Sequence, residues 1–341
     1  MLTYMAHTAL VIGAQGVIGT FIAREFAAAG WRVTRAGRRT EDASDFRLID
    51  LDDPADLRQA CARVDLVVNT AHHPELAPQR TVLRQGGTLI DLTELAPPER
   101  RKLASMGSEG PGLVVADTGL GGLAYLAIAD LLREHPETDT AEYALMVSAN
   151  GSSGRAGALF AHGLLTGSSH HPSAKIPFPE PSGESRCLQV GGVLREQIGE
   201  VPLRHYLCMQ PRALHRMLLA LNGARLIGIL PKASFTSGTR KVPAEPSREE
   251  ICELVAVSRG GERIATQTLS GRGYYRMTAA ATLVFGEALL GGRDATEAKG
   301  AAARGKSGLR SIDELITLDD VRPAAIKHGI AIEKQTTARA A

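Results

Sequence analysis

The chain has 341 residues, 39 Lys and Arg against 37 Asp and Glu (net charge +2), and 44% hydrophobic residues. That length supports a large core in a two-domain body, and the near-balanced, dispersed charge excludes a general nucleic-acid binder. No apolar run approaches the roughly 20 residues of a membrane span, and Met1 to Met5 lead almost directly into a strand, so neither membrane insertion nor a secretory signal is expected.

The first element in chain order is a buried strand, Thr8 to Ile12, followed by the turn Gly13-Ala14-Gln15-Gly16-Val17-Ile18-Gly19 and a helix from Thr20 to Phe26. Glycine permits the tight turn and a close backbone approach, and the helix N-terminus offers free N–H groups and the positive end of its dipole. The GxxGxxG spacing is a variant of the dinucleotide fingerprint. Glycine turns also join strands to helices for structural reasons alone, but the strand–turn–helix context favours a nucleotide. Gly30 stops the helix and Trp31 to Ala36 form a second strand. An NAD site ends that strand with Asp or Glu for the ribose 2′-hydroxyl. This chain has Gly37-Arg38-Arg39-Thr40, two guanidinium groups and no carboxylate, the arrangement expected for the 2′-phosphate of NADP, with a solvated basic loop as the plain alternative. NADP is therefore expected in preference to NAD.

Strands are predicted at Phe46 to Asp50, Asp65 to Asn69, Thr88 to Leu92 and Gly112 to Asp117, with helices at Pro54 to Ala62 and Glu75 to Arg84 between them. This alternation implies an α/β fold, a Rossmann-type doubly wound parallel sheet. Asp50, Asn69, Asp91 and Asp117 stand at strand ends, where such sheets bind ligands and where caps and turns also occur. From Gly119 the texture changes. Helices are predicted at Leu120 to Glu134, Arg155 to Leu165, Pro211 to Leu221 and Tyr275 to Leu290; strands at Ala141 to Val147 and Ala224 to Leu230; a hairpin about Gly260-Gly261; and a loop over 168–186. The expected division is residues 1–118 for the nucleotide, 119–273 for a second, mixed α+β substrate and dimerisation domain, and 274–341 for C-terminal helices returning to the first domain, with a tail.

Cys61, Cys187, Cys208 and Cys252 show no CxxC pairing and read as reduced, mostly structural thiols of a cytoplasmic protein. The pairs His72-His73 and His170-His171 cannot each turn both rings to one site on a regular element, so no metal is expected. None of the six tyrosines has Lys four positions on, which argues against short-chain dehydrogenase chemistry.

Residues 10–39, 65–94, 117–135 and 271–290 with 311–324 resemble, in order, the saccharopine dehydrogenase-like NAD(P)-binding oxidoreductases. The most telling features are the Asn69-Thr70-Ala71 turn with the Ile90-Asp91-Leu92-Thr93-Glu94 strand end, and the closing stretches. The resemblance implies a Rossmann domain, a substrate domain, and hydride transfer with NAD(P), commonly at a C–N bond and elsewhere at C=C. It assigns Gly13, Gly16 and Gly19 to the pyrophosphate, with backbone N–H groups of Gln15 and Val17 or Ile18. Arg38, Arg39 and Thr40 fall to the 2′-phosphate, and Asp50 and Leu51 to the adenine. Asn69, Thr70 and Ala71 fall under the nicotinamide ribose, with Asp91, Thr93 and Glu94 beside the nicotinamide. Members handling saccharopine often carry proline in the turn after the sixth strand; here it is Gly119-Leu120-Gly121-Gly122, which leaves the substrate open. A small polar molecule and a homodimer are expected. Rival readings are a nucleotide-binding sensor or scaffold, and an enoyl reductase of lipid or carrier-bound substrates. The catalytic proton donor is undetermined among His162, Lys175, Tyr274 and Tyr275. Gly151-Ser152-Ser153-Gly154 with Arg155, a second glycine-flanked turn before a helix, suits a substrate carboxylate or simply a Ser cap.

Overall fold

The computed structural model describes residues 6–93, 95–107, 110–148, 155–166, 168–180, 182–191, 194–236, 250–291 and 305–336. The chain divides into two compact units, Met1–Gly122 with Thr278–Pro323, and Leu123–Met277 with Ala324–Ala341.

In the first unit β1 (Thr8–Ile12), α1 (Val17–Ala28), β2 (Arg32–Gly37), β3 (Phe46–Leu48), α2 (Pro54–Cys61), β4 (Leu66–Asn69), α3 (Ala77–Gln85), β5 (Thr88–Asp91), α4 (Pro97–Met106) and β6 (Leu113–Ala116) follow one another. The strands form one parallel sheet in the order β3-β2-β1-β4-β5-β6, the doubly wound dinucleotide-binding order. Its central strands are apolar throughout (Ala9 to Ile12, Leu66 to Val68, Leu89, Ile90 and Leu113 to Ala116 are all buried), as a sheet covered on both faces demands. The strand carboxyl ends therefore carry the polar residues.

The α5 helix (Gly119–Glu134) leads into the second unit. Then come β7 (Thr140–Ser148), α6 (Arg155–Thr166), β8 (Ser173–Pro177), β9 (Glu184–Val190), β10 (Gln197–Ile198), β11 (Val201–Gln210), α7 (Arg212–Gly223), α8 (Lys232–Thr236), β12 (Glu250–Arg259) and β13 (Glu262–Arg272). The α9 helix (Tyr274–Leu290) begins in the second unit and continues into the first, where Gly286 meets Leu66 and Phe26 and Phe285 closes on Gly122. There β14 (Gly308–Ser311) adds a seventh parallel strand beside β6. The chain ends through α10 (Leu318–Lys327) and β15 (Ala331–Thr336). The second sheet runs β15-β13-β12-β7-β11-β9-β8, antiparallel except where β7 and β11 run parallel, with β10 as a short partner of β11. The expected α/β class, with a Rossmann-type parallel sheet and a second mixed α+β unit, is met.

Two expectations fail locally. Ala224 to Leu230 is not a strand: Arg225 takes a left-handed φ of +59° and a single 3-10 turn, Ile227–Ile229, drives Ile227 into the apolar cluster of Leu164, Leu165 and Leu218. A short apolar run serves a buried turn as well as a strand. Segment 168–186 is not all loop, because β8 and the start of β9 form its edge hairpin. The tail likewise supplies β14 and β15, whose backbone groups pair only with strands distant in sequence.

Candidate functional site

The glycine turn is built as a cradle. Gly13 has a left-handed φ of +81°, and a Cβ there would stand 2.5 Å from Thr70 Oγ1. A Cβ on Gly19 would stand 2.4 Å from Gly13 O, so this glycine lets the helix close on the turn. Gly16 differs: a Cβ would meet only Gly13 O at 3.2 Å, and the space in front of it is otherwise open. Gly16 caps α1 without a side-chain hydrogen bond, and the first helical bond runs from Thr20 N to Gly16 O at 3.0 Å. The N–H groups of Val17, Ile18 and Gly19 precede the first intrahelical bond, and no acidic residue stands in the first turn to occupy them. An uncapped helix start with an open glycine in front fits a pyrophosphate.

Gln15 ties this turn to the loop after β2. Its Nε2 donates to Arg39 O at 2.9 Å, and Arg39 N donates to its Oε1 at 3.3 Å. Arg38, Arg39 and Thr40 are exposed. The nearby acids Glu41 and Asp45 are both taken by Arg35, at 2.5 and 2.9 Å. The hydrogen bonds from Arg35 hold the Asp45 carboxyl below the usual carboxylate range. Among the described residues no carboxylate partners Arg38 or Arg39, and β2 ends in Gly37.

The strand ends β4 and β5 are joined by one buried carboxylate. Asp91 accepts from Gln79 Nε2 at 2.7 Å, Thr93 Oγ1 at 2.7 Å, Thr93 N at 3.0 Å and Asn69 Nδ2 at 3.0 Å. Burial pushes its pKa up, against these four donors. Asn69 in turn receives Ala71 N at 3.2 Å, and Thr70 Oγ1 donates to Ile12 O at 2.9 Å. Asp91 and Asn69 thus shape the turn from inside, while Thr93, its proton directed to Asp91, presents only acceptor lone pairs outward. Asp50 accepts from Asp52 N at 3.0 Å and is exposed beside the half-buried Leu51. Glu94 and Gly151 to Gly154 lie outside the described residues; Arg155 opens α6.

The four proton-donor candidates do not converge. His162 bonds Leu230 O at 2.9 Å and stacks edge-on against Phe235. Lys175 is an exposed partner of Glu184 at 2.8 Å. Tyr274 and Tyr275 pack on each other at 5.6 Å, Tyr275 Oη borders Gly157, and Tyr274 alone of the four acts electrostatically on Tyr143.

A different cluster lies in the second sheet. Register places Tyr143 (β7) opposite His205 (β11) and Val255 (β12), and Val255 opposite Gln267 (β13). Tyr143, His205, Glu253 and Gln267 consequently share one face. Tyr143 Oη donates to Glu253 Oε1. The His205 ring lies 5.6 Å from that of Tyr143 and its Nε2 3.4 Å from Tyr125 Oη. Glu253 and Gln267 are fully buried, and Glu253 Oε2 and both amide atoms of Gln267 have no hydrogen-bond partner among the described residues. Burial pushes the Glu253 carboxyl up to about 7, against the Tyr143 hydrogen bond. It exchanges its proton near neutrality, the property a general acid needs. Sequence reading missed this group because its members are scattered over 125 residues and meet only through strand register.

Residues 9–88 match the model of the NAD dependent epimerase/dehydratase family. No curated protein matches the sequence. Among solved structures, apo saccharopine dehydrogenase (L-Glu forming) from Saccharomyces cerevisiae superposes with a TM-score of 0.60, over 98% of this chain and 100% of that one, at 14% identity. Amine dehydrogenase from Mycobacterium smegmatis gives 0.49 over 92% and 97%, at 11% identity. The fold defines the class: a Rossmann-type parallel sheet of the NAD(P)-binding kind with a second, mixed unit. More particularly, the fold is similar along nearly its whole length to that of the yeast saccharopine dehydrogenase structure.

Proposed function

We propose that the protein is an NADP-dependent oxidoreductase that transfers hydride to or from a small polar substrate at a C–N bond. The observation that carries NADP is the pair Arg38 and Arg39, without carboxylate partners, at the end of a strand that lacks the usual acid. Val17, Ile18 and Gly19 N–H groups would hold the pyrophosphate, Arg38 and Arg39 the 2′-phosphate, and Thr93 the carboxamide N–H₂ through its lone pairs. Bound there, the nicotinamide supplies or accepts the hydride. The chain's own chemical task is then to orient the substrate and manage one proton. Glu253, with Tyr143, supports a role in that proton transfer better than His162 or Lys175, whose polar groups are already engaged. The C–N assignment rests on the sequence resemblance. A homodimer and a cytoplasmic location belong to the same reading, to be checked by light scattering and by fractionation.

Titration with NADPH and NADH, followed by nicotinamide fluorescence, tests the cofactor. NADPH should bind at least tenfold more tightly, about 1.4 kcal/mol. Arg38→Ala with Arg39→Ala should remove that preference and leave NADH affinity nearly unchanged. Equal losses for both cofactors would mean that the 2′-phosphate is not read at these residues.

A further inference from the structure

Four neighbouring strands of the second sheet set their sulfur atoms in a row. Met146 of β7 pairs with Cys252 of β12 on one side and Cys208 of β11 on the other. The β11–β9 ladder pairs Leu207 with Leu188, so its next step sets Cys208 opposite Cys187. Directly opposed residues share a face. The row Cys187, Cys208, Met146, Cys252 therefore crosses one face of the sheet and uses three of the chain's four cysteines.

The two ends of the row differ. Cys252 and Met146 line a cavity of about 530 Å³. Cys187 and Cys208 are buried in an apolar cluster with Ile176, Phe178 and Tyr206. Beside Cys208 stands His215 of α7, itself 7% exposed. Its Nε2 donates to Arg186 O at 2.5 Å, which fixes the ring and leaves Nδ1 as the basic nitrogen, a long acceptor for Met209 N–H at 3.4 Å.

Opposed residues of an antiparallel ladder have Cα atoms about 4.5 or 5.5 Å apart, and a disulfide spans about 4.4–6.8 Å. Cys187 and Cys208 meet that requirement with either kind of pair. Cys252 stands two strand spacings from Cys208, about 9.6 Å, beyond bridging distance. We propose that Cys208 and Cys187 form a peroxide-oxidisable dithiol, with His215 as the base for Cys208 and the cavity at Met146 and Cys252 as the approach of the hydroperoxide.

His215 takes the Cys208 proton, and the thiolate attacks the peroxide O–O bond. An S–O bond forms, and the leaving hydroxide recovers the proton from His215 as water. The Cys187 thiol then attacks the sulfenic sulfur of Cys208; the S–S bond forms, the S–O bond breaks, and a second water leaves with the thiol proton. Two thiols and one H₂O₂ give one disulfide and two waters. Local electrostatics follow this division: the Cys187 S–H, and next His215, hold the Cys208 thiol below the ordinary range, while Cys187 is pushed up by the same contact.

The test uses the full-length protein, treated with a few equivalents of H₂O₂, denatured in iodoacetamide and mapped by mass spectrometry without reduction. The expected product is a Cys187–Cys208 cross-linked peptide that dithiothreitol releases. Cys187→Ser should strand Cys208 as a sulfenic acid trapped by dimedone, and His215→Gln should slow cross-linking about tenfold or more. Recovery of Cys187 and Cys208 as alkylated thiols, with oxygen added only at Cys252 or Met146, would overturn the proposal. That readout comes from the unmodified sequence and needs no variant to fold.

Discussion

Single residues in the glycine turn separate a glycine packed against backbone, Gly19, from one with open space before it, Gly16. Gly19→Ala places a Cβ 2.4 Å from Gly13 O and should unsettle the turn itself, lowering the melting temperature as well as cofactor affinity. Gly16→Ala meets only one atom, at 3.2 Å, from a φ of −78° that any residue adopts. It should leave stability within about 1 kcal/mol while weakening NADPH more than tenfold, since only the approach of the phosphates is obstructed. Isothermal calorimetry and thermal melts on both variants check this contrast. Glu253 makes a prediction of opposite kind. Its carboxyl sits near 7 in the folded protein, above the ordinary 4.5. Between those values it is protonated when folded and ionised when unfolded, so unfolding releases a proton. Stability from this group is complete below about pH 4.5 and is lost as pH rises to 7, a change of about 3 kcal/mol. Glu253→Gln keeps an acceptor for Tyr143 without the titration. Urea unfolding at pH 5 and pH 8 should show the wild type losing about that much more stability than the variant.

Among the elements, the strand carboxyl ends of the first sheet are held by polar ties that the sequence shows only as isolated Asp and Asn residues. Arg100 of α4 pairs with Asp117, which has a left-handed φ of +56° and also accepts Ser311 Oγ of β14 at 2.6 Å. Asp117 is 4% exposed at its side chain. Arg100→Ala would leave that carboxylate buried without its guanidinium and should destabilise the protein by about 3 kcal/mol, read from denaturant unfolding. The strand positions β1, β4, β5 and β6 were legible because a sheet covered on both faces needs apolar runs between short links. Three of the edge strands were not. Ser173–Pro177, Gly308–Ser311 and Ala331–Thr336 are polar or glycine-containing segments whose pairing is decided by the strands they join. The Ala224 to Leu230 run shows the converse: its composition favours a strand, but the end of α7 turns the chain before a ladder can form.

At the scale of the whole molecule, the first unit is completed by chain that returns after the second. Phe285 and Gly286 of α9 fill space against Gly122, Phe26 and Leu66, and β14 covers the β6 edge. A fragment ending at residue 122 lacks these contacts and should show no cooperative melt, whereas the full chain should; circular dichroism distinguishes the two. Sequence by itself determined the strand–glycine turn–helix unit and the parallel sheet. Those features are local: a strand, a glycine turn and a helix start lie within twenty residues, and their chemistry is that of backbone and period. Only the tertiary structure decided that Asp91 holds Asn69 and Thr93 from inside, that Tyr143 meets Glu253, and that Cys187, Cys208 and His215 come together. Those groupings depend on strand order and register, where one residue of slip turns every side chain to the other face, and no local pattern records which distant strands will be neighbours.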